Sequence, residues 1–147
     1  MTKSKTEILI VDDNPADIDL TTEVLAQSRH HFHVNAVSDG AEAISFLRRQ
    51  GKYGRAPVPE LVVLDLNLPH KDGRQVLREV KRDPALSKIP VVIFTTSPVG
   101  ADVARSYELG ANCYLKKPGN LYDFVAAVQS MAELWLGFSS LPQREKR

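Results

Sequence analysis

The sequence predicts an α/β fold in which five parallel strands alternate with five helices. Two observations carry that expectation. The runs Ile8-Leu9-Ile10-Val11, Leu61-Val62-Val63-Leu64 and Val91-Val92-Ile93-Phe94 are apolar at successive positions instead of alternating, the pattern of strands covered on both faces. Segments with helical spacing lie between them, and strands alternating with helices build βαβ units around one sheet.

Each element has its own local signal. After the first strand, Asn14 can cap a helix that starts at Pro15, with Asp17 in its first turn. Ile18, Thr21, Thr22 and Leu25 form its expected inward face, and Arg29 lies near its end. The run Phe32–Val37 is less apolar and more alternating, so it reads as an edge strand. Ser38-Asp39-Gly40 reads as a turn, followed by a helix with Ala43, Ile44 and Leu47 inward. Over residues 50–60 the chain turns basic and irregular, with Gly51, Gly54, Pro57 and Pro59 among Lys52 and Arg55. That stretch is expected to be a solvated loop. Asp72 can cap a third helix with Val76, Leu77 and Val80 inward, interrupted at Asp83-Pro84. A shorter helix over 101–109 closes at Gly110, and Cys113-Tyr114-Leu115 forms the last strand. In the final helix, Leu121, Phe124, Val125, Val128, Met131 and Trp135 recur at three and four residues.

A chain of 147 residues makes one domain of ordinary size, with a core over about 6–135 and an extension over 136–147. With 25% charged residues and a net charge of +1, nothing marks nucleic acid or an anionic membrane as its main partner. No run approaches the roughly 20 apolar residues needed to span a bilayer. The single cysteine, Cys113, cannot form an internal disulfide, and the amino terminus lacks the apolar stretch of a signal peptide. A reducing cytoplasm is the expected location. Cys113 reads as a small buried hydrophobe. His30, His31 and His33 read as solvated histidines near an edge strand, not as metal ligands. The roughly dozen residues after the last helix are too few for a separate DNA-binding or catalytic domain.

The chemistry gathers at the strand ends. The first strand ends in Asp12-Asp13, the third in Asp65, the fourth in Thr95, and the fifth leads into Lys116-Lys117-Pro118. In a parallel sheet these residues converge at the carboxyl edge, where open α/β sheets place their ligands. Three carboxylates repel one another unless a cation compensates, and an all-oxygen set suits a hard ion such as Mg²⁺. Asp65 can then serve as the nucleophile that forms an acyl phosphate. Lys117 supplies a mobile positive charge, and Thr95 a hydrogen bond, to the transferring group. Taken singly, each residue has an ordinary reading: a helix cap, a strand-end threonine, a solvated lysine. Four strand ends in sequence order, each with fitting chemistry, set the group apart.

These stretches resemble a response-regulator receiver domain from about Lys5 to Trp135. The resemblance rests on Ile10-Val11-Asp12-Asp13, Leu64-Asp65-Leu66-Asn67-Leu68-Pro69 with Asp72-Gly73, Phe94-Thr95-Thr96, Gly110-Ala111, and Tyr114-Leu115-Lys116-Lys117-Pro118. It implies a flavodoxin-like doubly wound (βα)5 fold with strand order 2-1-3-4-5. It also implies that Asp65 accepts a phosphoryl group from a sensor histidine kinase, with Mg²⁺ held by Asp13, Asp65 and the backbone carbonyl of Asn67, and Asp12 acting through water. The Lys117–Pro118 bond would be cis. Thr95 and Tyr114 would form the switch, Tyr114 moving into space vacated as Thr95 is drawn inward. The Asp-Asn-Pro-Ala-Asp opening, the basic insert, Ser106-Tyr107-Glu108-Leu109 and the tail Leu134-Trp135-Leu136 with Ser140-Leu141-Pro142 are similar to stand-alone receivers of cyanobacterial phytochrome kinases. A phytochrome-type kinase partner follows from that likeness. Thr96 and Gly119 depart from the family's usual small residue and aromatic at those positions.

The tail residues Leu136, Phe138 and Leu141 either fold back or cover a partner. The resemblance favours a two-fold homodimer through the last strand, last helix and tail. The expected function is a signalling protein that catalyses only its own phosphoryl loading and hydrolysis. Three other functions compete. An aspartate-dependent phosphatase would need a second aspartate two residues after Asp65, where Asn67 stands. A flavin domain would need a phosphate-holding loop, where Asp12-Asp13 would repel one. An adaptor with vestigial phosphorylation would not need the intact set of Asp12, Asp13, Asp65, Thr95 and Lys117.

Overall fold

The computed structural model describes residues 5–28, 30–96 and 100–138, with the backbone alone for 136–138. Five strands, β1 (Thr6–Val11), β2 (Phe32–Val37), β3 (Leu61–Leu64), β4 (Val91–Thr95) and β5 (Cys113–Lys116), alternate with α1 (Pro15–Ala26), α2 (Gly40–Leu47), α3 (Gly73–Arg82), α4 (Gly100–Glu108) and α5 (Leu121–Ala132). The sheet is parallel in the order β2-β1-β3-β4-β5, as expected. A π-helical segment, Glu133–Phe138, continues α5. No described helix is long and apolar enough to cross a membrane.

The unbroken apolar runs feed two separate layers, because successive strand residues point to opposite faces. Leu9, Val11, Val62, Leu64 and Ile93 pack with Ala43, Ile44 and Leu47 of α2 and Val76, Leu77 and Val80 of α3. Ile8, Ile10, Leu61, Val63, Val92 and Phe94 pack with Val24 and Leu25 of α1 and Phe124, Val128 and Met131 of α5. Burying each Val or Leu side chain contributes about 1.5–3 kcal/mol, so both faces of the central strands add to stability. β2 is buried only in part along its length, as an edge strand should be.

Four helices carry side-chain caps at their amino ends. Asn14 accepts from the Asp17 amide, Asp39 from Glu42, Asp72 from Arg74, and Asn120 from Asp123. Asp39 is therefore a cap and Gly40 the first residue of α2, where the sequence suggested a free turn. Gly110 ends α4 at φ 104°, its amide donating to the Tyr107 carbonyl at 3.0 Å, a conformation that favours glycine. α4 buries Ser106 and is tied to α3 by an ion pair, Arg74 Nη2 lying 2.8 Å from Asp102 Oδ1.

Several expectations change. Val24 is buried on α1, while Thr22 is only half-buried. Leu121 is exposed, since it opens α5 and precedes the buried stripe of Phe124, Val128 and Met131. The basic insert is not freely solvated. A 3-10 turn, Gly51–Tyr53, lays the Tyr53 ring 5.2 Å from that of Phe46 (centroid to centroid), and the Tyr53 hydroxyl donates to Glu42. Cys113 is half-buried, and burial pushes its thiol up. Arg29, the side chains of Leu136 and Phe138, and Leu141 lie outside the described residues, as does the Ser140-Leu141-Pro142 motif.

Candidate functional site

Strand register brings the site together. β1 and β3 pair Val11 with Leu64, so Asp12 and Asp65 emerge side by side one residue later. The Asp65 amide donates to the Val11 carbonyl at 2.9 Å, and the Asp12 amide to the Val37 carbonyl at 3.1 Å. β3 and β4 pair Leu64 with Ile93, which sets Thr95 one step beyond Asp65. Thr95 faces Lys116 across β4 and β5, and the Lys117 amide donates to the Thr95 carbonyl at 2.6 Å. Ladder bonds thus fix the backbone from which each functional side chain projects.

The side chains meet at the carboxyl edge of the sheet, most of them buried. Asp12, Asp65, Thr95 and Lys117 are 5%, 7%, 0% and 5% exposed, whereas Asp13 is exposed. The Thr95 hydroxyl donates to Asp65 Oδ1 at 2.7 Å, and the Asn67 amide reaches the same oxygen at 3.4 Å. Lys117 Nζ lies 2.6 Å from Asp12 Oδ2, 2.9 Å from Asp17 Oδ2 and 3.1 Å from Asp65 Oδ2. The lysine is therefore held fast by three carboxylates, not the mobile loop charge that its position among loop residues suggested. Asp17 is the functional neighbour that sequence reading missed. Its place in the first turn of α1 gave it an ordinary helix role, and its partner lies 100 positions away in the chain.

Three carboxylates share one ammonium, and the charge balance follows from that. Burial raises the Asp12 carboxyl above its ordinary 3.8. The Lys117 and Asn14 hydrogen bonds oppose the rise, and the negative charge of Asp65 adds to it. Burial alone would lower Lys117, but hydrogen bonds to Asp12 and Asp17 and the charges of Asp12 and Asp65 hold it above 10.5. The cation is over-supplied with partners and the carboxylates are under-compensated. Asp12, Asp13 and Asp65 each offer an oxygen within 4.8 Å of the others. An all-oxygen set with surplus negative charge fits a hard divalent ion. Among the described residues no histidine joins a metal-like group; His33 instead pairs with Glu7 at 2.7 Å.

The loop after Asp65 is tightly drawn. The Lys71 amide donates to the Pro69 carbonyl at 2.8 Å across His70, whose φ is 66°, a strained γ-turn. The Gly73 amide donates to the Leu66 carbonyl at 2.9 Å. Helix α3 approaches so closely that a Cβ on Gly73 would lie 2.2 Å from the Asp65 carbonyl oxygen. The Lys117–Pro118 bond is trans, against the cis geometry expected from the resemblance. Trans is the isomer favoured by about 0.5–1 kcal/mol before proline, and the Lys117–Thr95 ladder bond forms with it. Tyr114 is partly buried, packed against the α2–α3 layer, and its amide donates to the Tyr107 hydroxyl at 3.1 Å. Thr96 is exposed, and among the described residues nothing lies within 4 Å of a Cβ on Gly119.

Comparison with known proteins gives a consistent match. A family model described as the response regulator receiver domain matches residues 8–129. The response regulator Rcp1 of Synechocystis sp. is 48% identical over 135 residues, 92% of each chain. The crystal structure of the Mn²⁺-bound form of Rcp1 aligns over 94% of this chain and 99% of its own, with TM-score 0.92 and 47% identity. That of the phosphorylated cyanobacterial phytochrome response regulator RcpA aligns over 95% and 100%, with TM-score 0.93 and 46% identity.

Proposed function

The chain belongs to the response-regulator receiver family, and we propose that it acts as a stand-alone receiver that takes a phosphoryl group onto Asp65 from a phytochrome-type histidine kinase. The observation that carries this is the buried Asp65 carboxylate held between the Thr95 hydroxyl and the Lys117 ammonium, beside two further carboxylates. The likeness to a phosphorylated phytochrome response regulator supports the kinase class.

A carboxylate oxygen of Asp65 attacks the phosphorus of a phosphohistidine. The new oxygen–phosphorus bond forms as the phosphorus–nitrogen bond breaks, and the imidazole leaves with the electron pair. Lys117 and Thr95 give hydrogen bonds to the phosphoryl oxygens, where charge concentrates as transfer proceeds. Receivers bind a divalent metal. Here Asp12, Asp13 and Asp65, with the Asn67 carbonyl two residues further on, would hold Mg²⁺, which supplies positive charge to the phosphoryl oxygens. Drawing Thr95 toward the phosphoryl group frees space beside β5, and Tyr114 is the side chain that answers on that strand. Output is a change of surface and not turnover, in a cytoplasmic setting consistent with a lone cysteine.

The same reading includes a homodimer through β5, α5 and the tail. Leu121, Tyr122 and Leu134 are large exposed apolar residues on α5 and its continuation, the kind of surface that a partner covers. The test incubates wild type and Asp65→Asn with Mg²⁺ and acetyl phosphate. Intact mass should show one phosphoryl group on wild type and none on Asp65→Asn. Unlabelled wild type, or a labelled variant, would overturn the assignment. Light scattering with beryllofluoride reports assembly in the same samples, and a monomer at high concentration would remove the dimer.

A further inference from the structure

Lys117 is claimed from two sides. Its ammonium lies 2.6 Å from Asp12 Oδ2 and 3.1 Å from Asp65 Oδ2, both in the carboxylate cluster, and 2.9 Å from Asp17 Oδ2, which is outside it. Asp17 stands on α1, its amide capped by Asn14 and its side chain 25% exposed. An ammonium has three protons, and here three carboxylates use them. The protons on Asp12 and Asp65 engage two of the three carboxylates that an incoming divalent ion would also use.

We propose that Asp17 is a positioning residue that draws the Lys117 ammonium toward α1 and off the cation-binding oxygens of Asp12 and Asp65, and so sets how readily the cluster takes up its divalent ion. This rests on the reading of Asp12, Asp13 and Asp65 as a cation site and adds a control on its occupancy. Without Asp17 the third proton falls back on the two cluster carboxylates, and an incoming ion must displace a more firmly held ammonium. An acid near a helix amino terminus also has a plainer use, favourable interaction with the helix dipole. That use makes no demand on Lys117, so the two roles separate experimentally.

The experiment is calorimetric titration of Mn²⁺ into wild type, Asp17→Asn, Asp19→Asn, Lys117→Met and the Asp17→Asn/Lys117→Met double variant, each checked for folding by circular dichroism. Asp19 is exposed on the same helix, so its variant removes the same unit of charge without touching Lys117. Asp17→Asn should weaken Mn²⁺ binding on the order of fivefold, the range of a partly exposed ion pair. Asp19→Asn should change it by less than about twofold, and the effect of Asp17→Asn should vanish in the Lys117→Met background. Unchanged affinity in Asp17→Asn, equal weakening by Asp19→Asn, or an undiminished effect without Lys117 would each overturn the proposal. Wild type that takes up no Mn²⁺ would overturn the cation reading itself, and this proposal with it, a result distinct from the other three.

Discussion

Replacing Gly73 with alanine probes how firmly α3 fixes the backbone of Asp65. The added Cβ would lie 2.2 Å from the Asp65 carbonyl oxygen, 2.7 Å from the Leu66 Cα and 3.0 Å from the Leu66 carbonyl oxygen. All three are backbone atoms, so no flexible side chain can swing aside. Restoring ordinary contact requires helix and loop to part by about 1 Å, and overpacking of this kind costs about 1–3 kcal/mol. Rigid neighbours put the cost near the top of that range. Gly73 opens α3, so alanine regains at most the roughly 1 kcal/mol it holds over glycine in a helix interior, which leaves a net loss of at least about 2 kcal/mol. For a chain of this size that lowers the melting temperature by about 4–8 °C. Gly100, the first residue of α4, is the internal control, because among the described residues nothing lies within 4 Å of its Cβ position. Gly100→Ala should match or exceed wild type. Urea unfolding measures the stability, and intact mass after acetyl phosphate treatment measures loading. Loading should slow in Gly73→Ala, because displacing Asp65 disturbs its 2.7 Å bond from Thr95. A Gly73→Ala protein with wild-type midpoint and wild-type labelling would refute the argument.

Lys117→Met leaves Asp12 and Asp65 buried without their ammonium, and should destabilise the protein without divalent ions at neutral pH by about 3 kcal/mol. Added Mg²⁺ should recover part of the loss, and urea midpoints with and without the ion check both statements. Because the folded value of Lys117 is raised above 10.5, its contribution is complete below pH 10.5 and is lost as pH rises through the higher folded value. Wild type should show that alkaline loss and Lys117→Met should not. The Tyr53 phenol is pushed up to about 12 by burial, aided by its hydrogen bond to Glu42 and the charges of Glu42 and Asp39. The stability linked to it is present below pH 10 and lost as pH climbs through about 12. Ultraviolet titration of the four tyrosines should show a late phase that Tyr53→Phe removes; a late phase that survives the substitution would contradict the anchoring of the insert.

What could be read from the chain was whatever depends on near neighbours. Continuous apolar runs identify β1, β3 and β4, since both faces of a central parallel strand are covered. Asn14 with Pro15, and Asp72, mark two helix starts, because caps act within three residues. Asp12, Asp13, Asp65, Thr95 and Lys117 could be grouped because each stands at a strand end or within two residues of one. The rest depends on distances that sequence spacing does not report. Asp17 meets Lys117 only after β5 has been laid at the far edge of the sheet and the Lys117 side chain has reached across to the end of β1 and to α1. The close pass of Gly73 over Asp65 depends on how a loop folds, and the anchoring of Tyr53 on where α2 ends. Leu121 fits the helical stripe by spacing, yet it opens its helix and stays exposed.

The split interior carries a consequence for anyone wishing to toughen this protein. Tyr114 leans on the α2–α3 layer, while α1 and α5 close the opposite one. Separated sites with no shared neighbours contribute independently to stability. Substitutions that add heat resistance around Val24, Phe124 and Met131 therefore act on the layer opposite the one against which Tyr114 packs.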